Sequence, residues 1–92
     1  MKIGFAQTKS REGFSENLEE CLDFMTLAGK LGVNLLCFPE MHLTDFFLSR
    51  ADHHYPFQYA EGIPGPTVER FQKAAREQKM AVVLNYMEQF NY

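Results

Sequence analysis

The sequence predicts an α/β protein in which three parallel strands alternate with two helices. Three short apolar segments, at residues 2–7, 33–39 and 80–87, have the length and composition of buried strands. The two stretches between them carry apolar residues at three- and four-residue spacing, which is typical of amphipathic helices. The order strand, helix, strand, helix, strand implies right-handed crossovers and a parallel sheet, a βαβαβ unit.

The first strand is followed by a polar loop and then by a helix that we expect over about residues 16–31. Ser15 is the predicted N-cap, and three glutamates follow it in the first turn, where they suit the positive end of the helix dipole. Gly32 is the predicted residue just past the C-terminus. One apolar stripe of this helix should face the core, and it consists of Leu18, Cys21, Leu22, Met25 and Ala28.

The second strand, residues 33–39, is mostly apolar on both faces. By alternation Leu35 and Cys37 face one way, and Leu36 and Phe38 face the other. Such a strand is typical of a parallel sheet that is covered on both sides. Both helices should lie on one face of this sheet, because the three strands follow one another in sequence. We therefore expect the other face to expose apolar side chains unless another chain covers it.

A long connection, residues 41–64, leads to the second helix. A short helical turn is expected within it, near residues 44–50. The run GIPGPT, residues 62–67, is typical of a turn. Pro66 within it should lie in the first turn of the second helix. The stretch MAVVLNYM at residues 80–87 is the predicted third strand. A connection as long as 41–64 usually carries function or covers a site.

The composition excludes several classes of function. The chain of 92 residues has room for one domain, and its net charge of -3 is unlike that of nucleic-acid-binding domains, which carry a basic face. No window of 18 apolar residues predicts a membrane span, and the N-terminus is too polar for a signal peptide. The expected location is the cytoplasm, where the two cysteines would be reduced thiols.

Glu40 is the candidate catalytic residue, because it follows directly after the second strand. Ligands of open α/β sheets bind beyond the carboxyl ends of the strands, so Glu40 is expected at the functional edge. Pro39 has a fixed φ and cannot donate to a ladder, so it ends the strand and stiffens the support of the acid. This placement suits a general base. The alternative is a solvated carboxylate at a strand end.

Four features of the sequence, taken in order, resemble the nitrilase superfamily of carbon–nitrogen hydrolases. They are an opening strand KIGFAQ, a long amphipathic helix that ends in AGKLGVN, a strand LLCFPE, and a helix introduced by PGPT. The resemblance covers essentially the whole chain. It implies that the βαβαβ unit is a parallel-sheet fragment of a four-layer α-β-β-α sandwich.

The resemblance also implies a chemistry, in which a Cys thiol attacks a nitrile, amide or N-carbamoyl carbon of a small molecule. A Glu acts as general base and a Lys stabilises the tetrahedral intermediate. Glu40 matches the Glu of the family. No metal or organic cofactor is implied, and family members are amidases and related hydrolases that assemble as dimers or larger oligomers. The expected partners are therefore a small-molecule substrate and, in the intact protein, further copies of the chain, but no nucleic acid and no membrane.

The sequence departs from the family at the other two catalytic groups, which lie farther downstream in family members. Residues 1–92 are therefore expected to be the incomplete N-terminal part of a carbon–nitrogen hydrolase domain, and the isolated chain is expected to be inactive. Cys37 is turned to the face opposite Glu40, and Cys21 lies on the buried stripe of a helix, so neither is a good nucleophile. Three lysines near helix ends or on helix surfaces are expected to be solubilising charges: Lys30, Lys73 and Lys79.

Three further residues are candidates for the wall of a substrate pocket. Phe46 and Phe47 lie on the connection after Glu40, and Asn85 is a polar residue in the third strand that could support the site by a hydrogen bond. The two phenylalanines could equally be core or loop anchors, since large apolar residues are usually buried for packing.

The histidines of the long connection do not predict a metal site. His42, His53 and His54 show no recognised ligand spacing, so the simpler interpretation is a polar loop that titrates near neutrality. A rival to the hydrolase is a non-catalytic α/β module that binds a partner chain or a ligand through its exposed sheet face.

Overall fold

The computed structural model describes residues 1–9, 13–40, 42–43, 60–62 and 64–86. Its elements are β1 (Ile3–Phe5), α1 (Phe14–Lys30), β2 (Leu35–Cys37), α2 (Pro66–Gln78) and β3 (Ala81–Val83). The three strands form one parallel sheet in the order β1-β2-β3. This confirms the predicted βαβαβ unit, and the expected helical turn near 44–50 lies outside the described residues.

The two faces of the sheet differ in what covers them. The middle row, in which Gly4 and Val82 are partners of the buried Leu36, faces α1 and α2, and these helices pack against each other. The opposite face carries the side chains of the two outer rows, and we call these six residues the open face: Ile3, Phe5, Leu35, Cys37, Ala81 and Val83.

The open face confirms the expectation that one side of the sheet exposes apolar side chains. Phe5 is 77% exposed, Ile3 51% and Val83 47%. The prediction that β1 is a buried strand is wrong for its two outer residues, because both helices lie on the other face. Leu35 and Cys37 are half-buried on the central strand.

The core lies between the sheet and the two helices. The predicted stripe of α1 is confirmed, since Leu18, Cys21, Met25 and Ala28 are buried and Leu22 is half-buried against them. The rest of the core comes from one residue of β2, one residue of α2 and four positions outside the helices and strands. Those buried residues are Ala6, Leu36, Phe38, Leu43, Phe71 and Met80.

The ends of α1 follow from hydrogen bonds of the backbone. The predicted N-cap at Ser15 is wrong: the helix begins at Phe14, and the cap residue is Gly13, which makes no side-chain hydrogen bond to the helix. The prediction of Gly32 is confirmed by its φ of 76°. Its N–H donates to the Gly29 carbonyl at 3.2 Å and the next N–H, of Val33, donates to Ala28 at 3.0 Å, which is a Schellman motif.

The first turn of α2 is held by a carboxylate that precedes it in the chain. Pro66 occupies the predicted position at the start of the helix, and the cap residue Gly65 has no side chain with which to cap it. The carboxylate of Glu61 instead accepts hydrogen bonds from the backbone N–H of Thr67, at 2.8 Å, and from its hydroxyl. Glu61 therefore satisfies a donor that the helix itself cannot.

The three strands are shorter than predicted, with three residues each. The apolar runs 2–7, 33–39 and 80–87 are longer than the three residues of each strand that pair with an adjacent strand. Asn85 consequently lies two residues past β3 rather than in it. Neither helix of the described part of the chain has the length and apolar character needed to cross a membrane.

Candidate active site

Glu40 lies at the carboxyl edge of the sheet, in the turn that follows the central strand β2. It comes three residues after Cys37, the last residue of β2, and its side chain is exposed. The N–H of Phe38 donates to the Val83 carbonyl at 3.2 Å, so the chain is tied to β3 until just before Pro39. The carboxylate is thus presented to solvent from a backbone that is held on one side by the sheet.

His42 holds the chain on the other side of Glu40. It is 1% exposed. Its Nε2 accepts a hydrogen bond from the backbone N–H of Asn85 at 3.2 Å, and its Nδ1 lies 3.2 Å from the Cys21 sulfur. The imidazole stacks on the ring of Phe38 at a centroid distance of 4.8 Å and meets the edge of Phe71 at 6.1 Å.

These contacts determine the tautomer of His42. Because a backbone N–H can only donate, Nε2 must be the acceptor, and the ring proton is on Nδ1. Nδ1 therefore donates to the Cys21 sulfur. Burial lowers the pKa of His42 from 6.5 to about 4, so the ring is neutral at physiological pH. The interpretation of His42 as part of a polar loop that titrates near neutrality is wrong.

Leu43 is held by a second polar group of α1. The side-chain amide of Asn17 is buried and donates to the Leu43 carbonyl at 2.9 Å. Asn17 and Cys21 are four residues apart and so lie on the same side of α1. Residues 42 and 43 are therefore held by three contacts. The Asn17 amide binds the Leu43 carbonyl, and the Cys21 sulfur and the Asn85 N–H bind the ring of His42.

Neither cysteine of the chain is placed as a nucleophile for Glu40. Cys21 is fully buried, and desolvation, with a smaller contribution from Glu20, raises the pKa of its thiol from 9.0 to about 12. Cys37 lies on the open face, next to Phe5 and Val83. Cys21 is therefore a buried core residue, whereas Cys37 lies on the face of the sheet that the helices do not cover.

The structure places some of the predicted site residues and leaves others outside its described part. Glu40 is at the expected edge, and Asn85 is also there, with its backbone rather than its side chain in the contact to His42. Phe46 and Phe47, like His53 and His54, lie outside the described residues. Within the described residues no three His, Cys, Asp or Glu side chains form a group that could hold a metal ion.

The three lysines that were predicted to be solubilising charges lie on a helix or at the end of one. Lys30 ends α1 and Lys79 is the cap residue at the end of α2, and both are exposed. Lys73 is exposed on α2, 4.0 Å from the Glu77 carboxylate. These positions agree with solubilising charges.

The sequence analysis did not identify Asn17 and His42 as the residues whose side chains hold the chain after Glu40. Asn17 was detectable in part, because it lies four residues before Cys21 and so falls on the apolar stripe of α1. A polar residue on such a stripe needs a buried partner. For His42 the sequence carries no comparable signal, since its partners are far away along the chain.

The comparison with protein families agrees with the resemblance noted in the sequence. The family profile described as Carbon-nitrogen hydrolase matches residues 2–91. No curated protein sequence matches the chain. The matched range includes every described helix and strand and the edge that carries Glu40. The chain therefore belongs to the carbon–nitrogen hydrolase family.

Proposed function

We propose that Glu40 is the general base in the hydrolysis of a small amide, nitrile or N-carbamoyl compound. The observation that carries this proposal is the position of Glu40, which is exposed past the carboxyl end of the central strand and is flanked in sequence by two buried residues, Phe38 and His42. A base must stay within hydrogen-bond reach of one proton, and a carboxylate on a held turn meets that need.

The reaction would proceed through a covalent intermediate on a cysteine. The thiol proton passes to the Glu40 carboxylate, and the sulfur attacks the carbon of the nitrile, amide or carbamoyl group. An ammonium group stabilises the charge that develops on the substrate. In amide hydrolysis the proton then moves from Glu40 to the departing nitrogen, and Glu40 next takes a proton from the water that releases the product.

The 92-residue chain alone is proposed to be inactive. It has two cysteines, and Cys21 has a thiol pKa of about 12 while Cys37 lies on the open face. We therefore propose that the nucleophile is supplied by polypeptide outside these residues. Assembly into dimers or larger oligomers is proposed on the same grounds as the chemistry, from the family.

The test measures ammonia release from a panel of amides, nitriles and N-carbamoyl amino acids. The 92-residue chain is compared with the product of the same reading frame extended through any coding sequence that follows residue 92. We expect activity in the extended product only, and a loss of at least about 100-fold on Glu40→Gln, which is the usual range for a lost general base.

The matched control is Glu77→Gln, which removes an exposed carboxylate from the surface of α2 and should leave the rate unchanged. Full activity of Glu40→Gln in the extended product would contradict the role of the base. Ammonia release by the 92-residue chain that depends on Glu40 would contradict its inactivity.

The open face favours a second candidate, a non-catalytic module that binds a partner chain or ligand there. This function needs neither Glu40 nor a nucleophile, and the apolar side chains of Phe5 and Val83 would make the contact. Sedimentation distinguishes the two. A compact monomer that unfolds cooperatively favours the module, whereas an aggregating chain favours the incomplete hydrolase.

A further inference from the structure

We propose that His42 is a positioning residue, which holds Glu40 at the carboxyl edge of the sheet through the hydrogen bonds of its neutral Nδ1–H form. This inference rests on the proposed function, because it takes Glu40 to be the group that needs positioning. The geometric claim about His42 can nevertheless be tested without any catalysis.

Phe38 and His42 lie two residues before and two residues after Glu40, and the contact between their rings closes a short turn around Glu40. The rings of Phe38 and His42 stack at a centroid distance of 4.8 Å with an angle of 15° between their planes. These two end residues are 5% and 1% exposed, while Glu40, the middle residue, is exposed. The turn therefore buries both of its ends and presents its central carboxylate to solvent.

The hydrogen bonds of His42 connect this turn to two other parts of the fold. Its Nδ1 reaches Cys21 on α1, and its Nε2 reaches the N–H of Asn85 after β3. Asn17 holds the next residue, Leu43, from the same helix. A ring that only filled the core would need none of these polar contacts, and phenylalanine would serve as well.

Movement of His42 has to reach Glu40, because the chain between them is short. Two residues of extended chain span at most about 7 Å, so the position of one closely restricts the other. On the other side, Phe38 is tied to Val83 by its backbone. Glu40 therefore lies between two positions of the chain that are held by hydrogen bonds, Phe38 and His42. We call them the two fixed points, and the second depends on the ring of His42.

Protonation of His42 would release the second fixed point. A cationic imidazole carries a proton on both nitrogens and cannot accept from the Asn85 N–H. The titratable group that faces the ring from α1 is Cys21, which has Glu20 beside it in sequence. The ring also meets the uncharged side chains of Phe38 after β2 and Phe71 on α2, and the backbone of Asn85 after β3.

The first experiment uses the unaltered protein and records ¹⁵N NMR spectra of its histidine rings between pH 8 and pH 3.5. We expect His42 to show the neutral Nδ1–H tautomer throughout the range above pH 5. The Asn85 amide should exchange with solvent more rapidly once the ring is protonated. An Nε2–H tautomer, or a ring that becomes cationic near pH 6.5, would overturn the proposal.

The second experiment separates positioning from packing with two variants. His42→Phe keeps an aromatic ring against Phe38 and Phe71 but removes the acceptor for the Asn85 N–H. His42→Gln keeps an amide oxygen that can take the place of Nε2. The control is Thr26→Ala, which removes an exposed hydroxyl bonded within α1.

We expect His42→Phe to raise the exchange rate of the Asn85 amide about tenfold, the usual effect of one lost hydrogen bond. The ¹⁵N order parameter of the Glu40 amide should fall from about 0.85 towards 0.6, and His42→Gln should restore most of both changes. An unchanged order parameter of Glu40 in a folded His42→Phe protein would show that His42 only fills the core.

Failure of this inference is distinguishable from failure of the proposed function. The NMR measurements require no substrate, and Glu40→Gln in an active, longer product requires no measurement of His42. In that product His42→Phe should lower kcat more than it raises KM, with partial rescue by His42→Gln. Equal kcat in the wild type and in folded His42→Phe would contradict the positioning role while leaving the role of Glu40 intact.

Discussion

At the scale of single residues, His42 makes the stability of the protein depend on pH. Its pKa is about 4 in the folded chain and 6.5 when exposed, so the unfolded chain binds a proton more readily. The contribution of neutral His42 to the free energy of unfolding is complete above pH 6.5 and falls as the pH drops towards 4. Below pH 4 this contribution changes no further. The integrated loss is on the order of 3 kcal/mol.

Urea unfolding at pH 7.5, 5.5 and 4.5 measures this loss. The wild type should lose stability more steeply than His42→Phe, in which the other titrating groups are unchanged and serve as the internal control. Parallel curves for the two proteins would show that the imidazole is not buried in its neutral form.

The two cysteines should differ in their reaction with iodoacetamide at pH 8. Cys21 is fully buried with a thiol pKa of about 12, so it should be protected until the chain unfolds. Cys37 is half-buried on the open face and should react first. Mass spectrometry of peptides from the native and urea-unfolded protein gives the two rates. Equal native rates would contradict the burial of Cys21.

At the scale of elements, the two helices end in different ways. At the end of α1 the left-handed position is occupied by Gly32, which adopts it without cost, whereas at the end of α2 it is occupied by Lys79, with φ 53° and ψ 49°. A side chain with a Cβ is disfavoured in this conformation by roughly 1–2 kcal/mol. The C-terminus of α2 is therefore a place where the fold carries avoidable strain.

Lys79→Gly should stabilise the protein by up to about 1 kcal/mol, after allowance for the greater freedom of glycine in the unfolded chain. The control is Lys73→Gly, the same replacement in the middle of α2, which should destabilise by about 1 kcal/mol. Thermal unfolding measures both. A lower Tm for Lys79→Gly than for the wild type would contradict the left-handed conformation.

At the scale of the whole molecule, the open face dominates the expected behaviour in solution. Phe5 is 77% exposed and lies beside Cys37 and Val83 in one row across the three strands. Contiguous apolar surface of this kind is uncommon on monomeric proteins and promotes association. Among the described residues no further strand pairs with β1 or β3, so these two strands are the edges of the sheet.

We expect the chain to self-associate at micromolar concentration and to bind a hydrophobic dye. The double variant Phe5→Lys, Val83→Lys should shift it towards monomer and reduce the dye signal. In the control, Leu27→Lys with Leu31→Lys, two similarly exposed leucines at the end of α1 are replaced instead. Analytical ultracentrifugation compares the three proteins. Equal effects of the two double variants would show that the sheet face is not the associating surface.

Much of this fold could be predicted from the sequence because its signals are local. Strand and helix periods predicted the element order, the parallel sheet and the buried stripe of α1, and the run ending in Pro39 predicted Glu40 at the carboxyl edge. The boundaries were less accurate. Ser15 does not cap α1, and the strands end where their neighbours stop pairing rather than where the apolar runs end.

The surroundings of Glu40 were decided by the tertiary structure. The contacts that bury His42 and Leu43 join residues 21, 26 and 43 positions apart, and no periodic pattern reports on such distances. By composition His42 is a polar residue in a loop, yet packing against Phe38 and Phe71 makes it a neutral core residue. Sequence alone thus determined which residue stands at the edge of the sheet, because that depends on the order of strands. Only the packing of α1 and β3 around the turn determined what holds it there, because burial and hydrogen bonding depend on which distant residues meet.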